Sequence, residues 1–146
     1  MEFDTGVKVA VYAWFARTGA GPGVADIAVE LGCSAAEVRA AYARLRASRV
    51  LLLEADGQTI RMAPPFSGVP TQHVVEVEGQ SYFANCAWDA LGIPAALHRE
   101  ASVHSRCGQS GEPLRLRVGL DGPEASPWLF HCLVPAARWW EDLVFT

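Results

Sequence analysis

The chain has 146 residues, enough for one fair-sized domain or two small modules sharing a core, and its 51% hydrophobic and 19% charged content describes a folding globular protein rather than a disordered one. Its net charge of -4 falls on residues 64–146, residues 1–63 being balanced, so neither part strongly attracts nucleic acid. No apolar run approaches the roughly 18 residues of a membrane span, and MEFDTGVKVA lacks the residue order of a signal peptide, so a cytoplasmic location with no membrane partner is expected.

In TGVKVAVYAWFAR, residues Val7, Ala10, Val11, Trp14 and Phe15 recur at the spacing of an amphipathic helix that ends at TGAGPG. VADIAVELG predicts a second helix closed by Gly32. A third starts at Ser34, where Ser-x-x-Glu forms a capping box, and buries Val38, Ala41, Tyr42 and Leu45. VLLLEADGQTIRMA then reads as two short strands around the turn dipeptide Asp56-Gly57.

Three helices and a hairpin make a winged helix-turn-helix pattern over residues 1–63. The prolines of APPFSGVP interrupt the periodicity and predict a linker at 64–70. Residues 71–146 read as a second, α+β module. Its expected elements are strands at HVVEVEG and QSYFA, a helix at NCAWDAL, strands at ASVHSRC, LRLRVG and WLFHCLV, and a last helix at PAARWWEDLV. The fold class is therefore α+β: a winged-helix-like helical unit plus a small mixed or antiparallel sheet with flanking helices.

The four cysteines, Cys33, Cys86, Cys107 and Cys132, are scattered without a CxxC pair and are expected to be reduced thiols. A cysteine among apolar residues is more often a small core residue than a reactive one. Cys86 has features that favour reactivity. Asn85 is a plausible N-cap, which would put Cys86 in the first helical turn, where the dipole and free amides favour a thiolate. Asp89, three residues on, shares that side of the turn and could exchange a proton with something bound at the sulfur. Apolar Trp88, Leu91 and Ile93 could keep the pair dry and raise the carboxyl pKa.

Other candidates are weaker. His104-x-x-Cys107 is half of a zinc site without a second pair. His73, His98 and His131 have no companion arrangement for nucleophilic catalysis. Trp139 and Trp140 read as faces of an amphipathic helix rather than a ligand cage. On the third helix Arg39, Arg44, Arg46 and Arg49 could contact DNA phosphates, with Arg39 and Arg46 on one face, although the balanced charge argues against strong duplex binding.

YFANCAWDALGIPAAL and ASVHSRCGQSGEPLRLRV together resemble the core of the alkylmercury lyase, or organomercurial lyase, family. The resemblance implies an enzyme that splits a carbon–mercury bond by protonolysis, without a required cofactor. Its ligand is an organomercurial or Hg(II), external thiols assist, and a mercuric reductase-like protein accepts the product. It also implies that Cys86 is the first catalytic thiol and Asp89 the catalytic carboxylate, both holding mercury after cleavage, and that Cys107 is a structural cysteine. The family's second catalytic cysteine is expected just past Phe145 and Thr146, which leaves Cys132 as the remaining candidate for a second thiol and metal ligand, against its reading as a core residue on a buried strand. The competing class is a winged-helix regulator that senses a metal or electrophile and binds DNA through Arg39 and Arg46.

Overall fold

The computed structural model describes residues 2–146, and its elements follow the expected order closely up to residue 119. Helix α1 (Glu2–Thr18) buries Val7, Ala10, Val11 and Phe15, while Trp14, at the edge of the stripe, lies under the Arg17 guanidinium at 5.3 Å. Helix α2 (Val24–Leu31) ends at Gly32, whose φ of 64° is the left-handed conformation that glycine adopts at least cost. Helix α3 (Ala35–Ala47) opens with the predicted capping box: the Glu37 amide donates to Ser34 Oγ at 3.2 Å, and Glu37 Oε2 accepts from the Ser34 amide at 2.9 Å. Ser34→Ala removes one half of that exchange. It is expected to cost about 1 kcal/mol and a few degrees of Tm, read by thermal denaturation.

Strands β1 (Leu52–Leu53), β2 (Ile60–Ala63) and β3 (Phe66–Ser67) form an antiparallel sheet in that order. The turn before β2 is held by Asp56, which accepts from the amides of Gln58 and Thr59 at 2.9 Å each. The segment 64–70, read from its prolines as a linker, thus carries a strand. Proline lacks a donor, but Phe66 contributes a side chain the core needs. It stacks on Phe15 at 5.3 Å, tilts against Tyr82 at 5.8 Å and meets Tyr12 edge-on at 6.3 Å.

A second sheet has the order β5-β4-β6-β7-β8, antiparallel throughout, from β4 (Val74–Val77), β5 (Gln80–Phe83), β6 (Ala101–Arg106), β7 (Pro113–Gly119) and β8 (Gly122–Pro123). Helix α4 (Ala87–Leu97) packs over β4 and β6, burying Ala90 and Ile93. One continuous core runs from α1 through Phe66 to Val75, Val103 and Ile93. It is tied polarly as well: Tyr82 donates its hydroxyl hydrogen to the Ala16 carbonyl at 2.7 Å, Tyr12 donates to the Pro64 carbonyl at 3.0 Å, and Phe66 bridges to Ala84.

Two expected elements near the C-terminus differ. WLFHCLV is not a strand, and the predicted last helix is a single 3-10 segment, Ala136–Glu141. The alternating apolar pattern finds no partner, because β8 closes the sheet edge beside β7 and Glu124 then bonds back to Arg117. Bracketed by Pro127 and Pro135, the segment instead runs with its side chains largely exposed, Leu129 at 93% and Leu133 at 74%. No helix among the described residues is long and apolar enough to cross a membrane.

Candidate thiol and carboxyl site

The join between β5 and α4 sets Cys86 and Asp89. Cys86 is itself the N-cap of α4, one residue later than the cap expected from Asn85, with extended φ and ψ of -151° and 178°. Its carbonyl accepts the first helical bond from Ala90 at 3.0 Å, and its Sγ accepts the Asp89 amide at 3.4 Å. The sulfur therefore takes the place that a serine or aspartate oxygen usually holds at a helix start.

Asn85, displaced from the cap, has another use. Its Nδ2 donates to Asp89 Oδ2 at 2.9 Å and to the Phe66 carbonyl at 3.1 Å, clamping the carboxyl between α4 and β3. Asn85 Oδ1 is buried without a protein partner.

Burial governs the ionisation of both groups. It raises the Asp89 pKa, as the sequence led us to expect, and the hydrogen bond from Asn85 only partly opposes it. For Cys86 the expected thiolate is not obtained. Burial raises the thiol first of all, the amides of Asp89 and Trp88 lower it less, and the charges of Asp89 and Cys132 raise it further. Near neutrality the site holds a thiol rather than a thiolate. Nor is Trp88 part of a dry wall: it is 54% exposed and leans on Phe130, with ring centroids 5.6 Å apart.

Cys86 and Asp89 open onto a cleft of about 1200 Å3 between α1, the β3–β4 region and the C-terminal segment. Cys107 and Cys132 line the same cleft, and so does His73. Cys132 is exposed on the irregular segment, with its Sγ–H directed to the Val134 carbonyl at 2.8 Å, so the reading of a core residue on a buried strand is corrected. Cys107 follows β6 in a tight turn, where the Ser110 hydroxyl and the Ser110 and Gln109 amides hold its thiol below the ordinary range. These groups do not form a closed cage: among the described residues, no three His, Cys, Asp or Glu side chains stand close enough together to hold a metal.

The remaining candidates lie elsewhere. His104 sits on β6 with Nε2 3.4 Å from Glu76 Oε2, away from Cys107's turn hydrogen bonds. Arg39 and Arg46 are exposed on α3 and do not line the cleft; Arg44 is held by Asp4 through two bonds of 2.8 and 2.7 Å. Arg49 lies beyond the end of α3, at the cleft.

Sequence reasoning missed Tyr12, close enough to Asp89 for the carboxylate's charge to raise its hydroxyl pKa, which burial raises most. It also missed the pair His73 Nδ1···Ser105 Oγ at 2.7 Å. Both occupy positions that read simply as a helix stripe and a strand, so nothing local marked them.

The MerB family model, described as alkylmercury lyase, matches residues 66–146, the portion that contributes most of this cleft. The chain belongs to the alkylmercury lyase family. An alkylmercury lyase of Staphylococcus epidermidis is 35% identical over 98 residues, 67% of this chain and 43% of that protein. An alkylmercury lyase of Streptomyces lividans is 48% identical over 52 residues, 36% of this chain and 24% of that protein, and one of Bacillus cereus is 42% identical over 53 residues, again 36% and 24%. The chain thus matches less than half the length of each of these family members. In fold it is similar to the mercury-bound form of MerB2, with a TM-score of 0.64 and 24% identity over 83% of this chain and 59% of that one.

Proposed function

We propose that this family member binds an organomercurial at Cys86 and cleaves its carbon–mercury bond with a proton from Asp89. The observation that carries the reading is the placement of a thiol and a carboxyl with a burial-raised pKa on one helical turn, both facing the same cleft.

Mercury is a soft metal and prefers thiolate ligands. In the first step the Cys86 sulfur bonds to mercury in R-Hg-SR′ and the carrier leaves as R′SH, taking up the Cys86 proton. Because Cys86 is a thiol at neutral pH, that proton is available without an external acid. A second thiol, from Cys132 across the cleft or from solution, gives its proton to solvent as its sulfur adds to mercury, and the resulting thiolate pushes electron density toward carbon. Asp89 in its acid form gives its proton to that carbon. The carbon keeps the carbon–mercury bonding pair, R-H departs, and Hg(II) stays on sulfur beside the new carboxylate. Hg(II) leaves by further thiol exchange, to a free thiol or to a mercuric reductase-like acceptor.

The elevated Asp89 pKa suits a donor, since a carboxyl with an ordinary pKa would be almost wholly ionised near neutrality. Asn85 is a positioning residue that holds the carboxyl through its hydrogen bond.

Asp89→Asn provides the test. Benzene release from phenylmercury in excess thiol is expected to fall by about a hundredfold or more, while mercurial binding, read by quenching of the cleft tryptophans Trp128, Trp139 and Trp140, persists. The fold should respond oppositely. A carboxyl whose folded pKa is raised above its unfolded value destabilises the protein once ionised, so the variant's Tm should exceed the parent's near pH 7. That advantage should shrink as pH falls through the folded pKa and vanish below the unfolded value of about 3.9. Unchanged benzene release in Asp89→Asn would remove Asp89 from the mechanism.

A further inference from the structure

The charge around the cleft is opposite to that of the molecule. The protein carries -4 overall, yet Lys8, Arg49 and Arg106 all line the cleft, and Asp89 is the single carboxylate side chain that does. Elsewhere Arg17, Arg44, Arg61, Arg99 and Arg138 each hold a carboxylate at 2.7 to 3.2 Å, while Arg39, Arg46, Arg115 and Arg117, outside the cleft, form no ion pair among the described residues. Among the described residues, Lys8, Arg49 and Arg106 form no ion pair; Arg106 donates only to the Gly111 carbonyl at 3.1 Å. They come from three separate places, namely α1, the end of α3 and the end of β6. Arg49 also stands at a φ of 61°, where a helix end ordinarily takes glycine, so a long cation occupies a position whose backbone favours no side chain.

We propose that Lys8, Arg49 and Arg106 make this cleft selective for organomercurials that arrive as anions, with a carboxylate on the carrier thiol or on the organic group. The proposal rests on the organomercurial reading of Cys86 and names the class of complex that reaches it. Unpaired cations lining a cleft concentrate anions there and accelerate their entry. They act again at the exchange step. When the Cys86 sulfur bonds to mercury and the mercury–carrier bond breaks, the departing carboxylate-bearing thiol remains near positive charge while it takes up its proton. The carbon–mercury bond is not touched in this step, so the cations should set the rate of capture rather than of protonolysis.

The experiment uses phenylmercury complexed to mercaptosuccinate, to neutral 2-mercaptoethanol or to cationic cysteamine, with capture followed by tryptophan quenching in stopped flow. The variant combines Lys8→Gln, Arg49→Gly and Arg106→Gln; glycine is chosen because it suits the backbone at position 49. Taking the ratio of parent to variant rates for each complex removes the differing basicity of the carriers. At low ionic strength the ratio should be about tenfold or more for mercaptosuccinate, near one for mercaptoethanol and below one for cysteamine, and added salt should bring the three together. A further arm uses 4-carboxyphenylmercury in mercaptoethanol. A high ratio there assigns recognition to the organic group, and a high ratio with mercaptosuccinate alone assigns it to the carrier. Equal ratios for all complexes, or ratios indifferent to salt, would overturn the proposal. Charge selectivity without benzene release would remove only the protonolysis reading; benzene release without selectivity would remove only this one.

Discussion

Cys86→Ser is expected to lower benzene release from phenylmercury by at least about a thousandfold and to reduce the mercurial bound per protein by the share held at Cys86, with the fold intact. Serine retains an oxygen that can accept the Asp89 amide at the helix cap, and serine is a better N-cap than cysteine, so the helix start should survive. What is lost is the soft ligand, which a hydroxyl cannot replace. Cys132→Ser makes the informative contrast. Cys132 is exposed and lies on a segment without regular structure, so its loss should slow the reaction less and be offset by raising the external thiol. A fixed thiol has a higher effective concentration than a diffusing one, which makes that rescue incomplete at low thiol. If Cys86→Ser and Cys132→Ser were equally active, the assignment of Cys86 as the entry ligand would fail.

Phe66→Ala is expected to destabilise the protein by about 3–5 kcal/mol. The ring is 3% exposed and touches Phe15, Tyr12 and Tyr82, so its removal opens a cavity where the helices, the first sheet and the second sheet meet. Because the Phe66 carbonyl also receives the Asn85 bond that orients Asp89, damage here should reach the site. Far-ultraviolet circular dichroism and tryptophan fluorescence should report one shared transition at a Tm lowered by roughly 10 °C. Two separated transitions would show instead that residues 1–63 and 71–146 unfold as independent modules.

The helices and most strands were legible because each carries a local signal. The α1 stripe, the Ser34–Glu37 box, the Asp56-Gly57 turn and the Cys86–Asp89 spacing are properties of neighbouring residues. Phe66 was not legible, because Pro64 and Pro65 signal a break while the packing of the side chain that follows depends on rings about 50 residues away and 16 residues ahead. The WLFHCLV strand was misjudged for a related reason: alternation describes a strand's faces, whereas a strand also needs an open sheet edge, and β8 occupies it. The ionisation of Cys86 turned on the same distinction. The helix start favours a thiolate locally, but the surrounding protein desolvates the sulfur, and desolvation is the larger effect.

The same balance explains why thiol and carboxyl suit each other. Burial raises the pKa of both, which favours each group's protonated form and so its role as a proton source as bonds to mercury form and break.

The central claim is that the proton placed on carbon comes through Asp89 while mercury sits on Cys86. A single-turnover reaction in D2O, with phenylmercury bound stoichiometrically and excess thiol present, measures it directly by mass spectrometry of the released hydrocarbon. The account predicts about one monodeuterated benzene per protein, strongly slowed in Asp89→Asn and absent in Cys86→Ser. Intact phenylmercury recovered from the parent protein after prolonged incubation, or benzene formed as fast by Cys86→Ser, would contradict it.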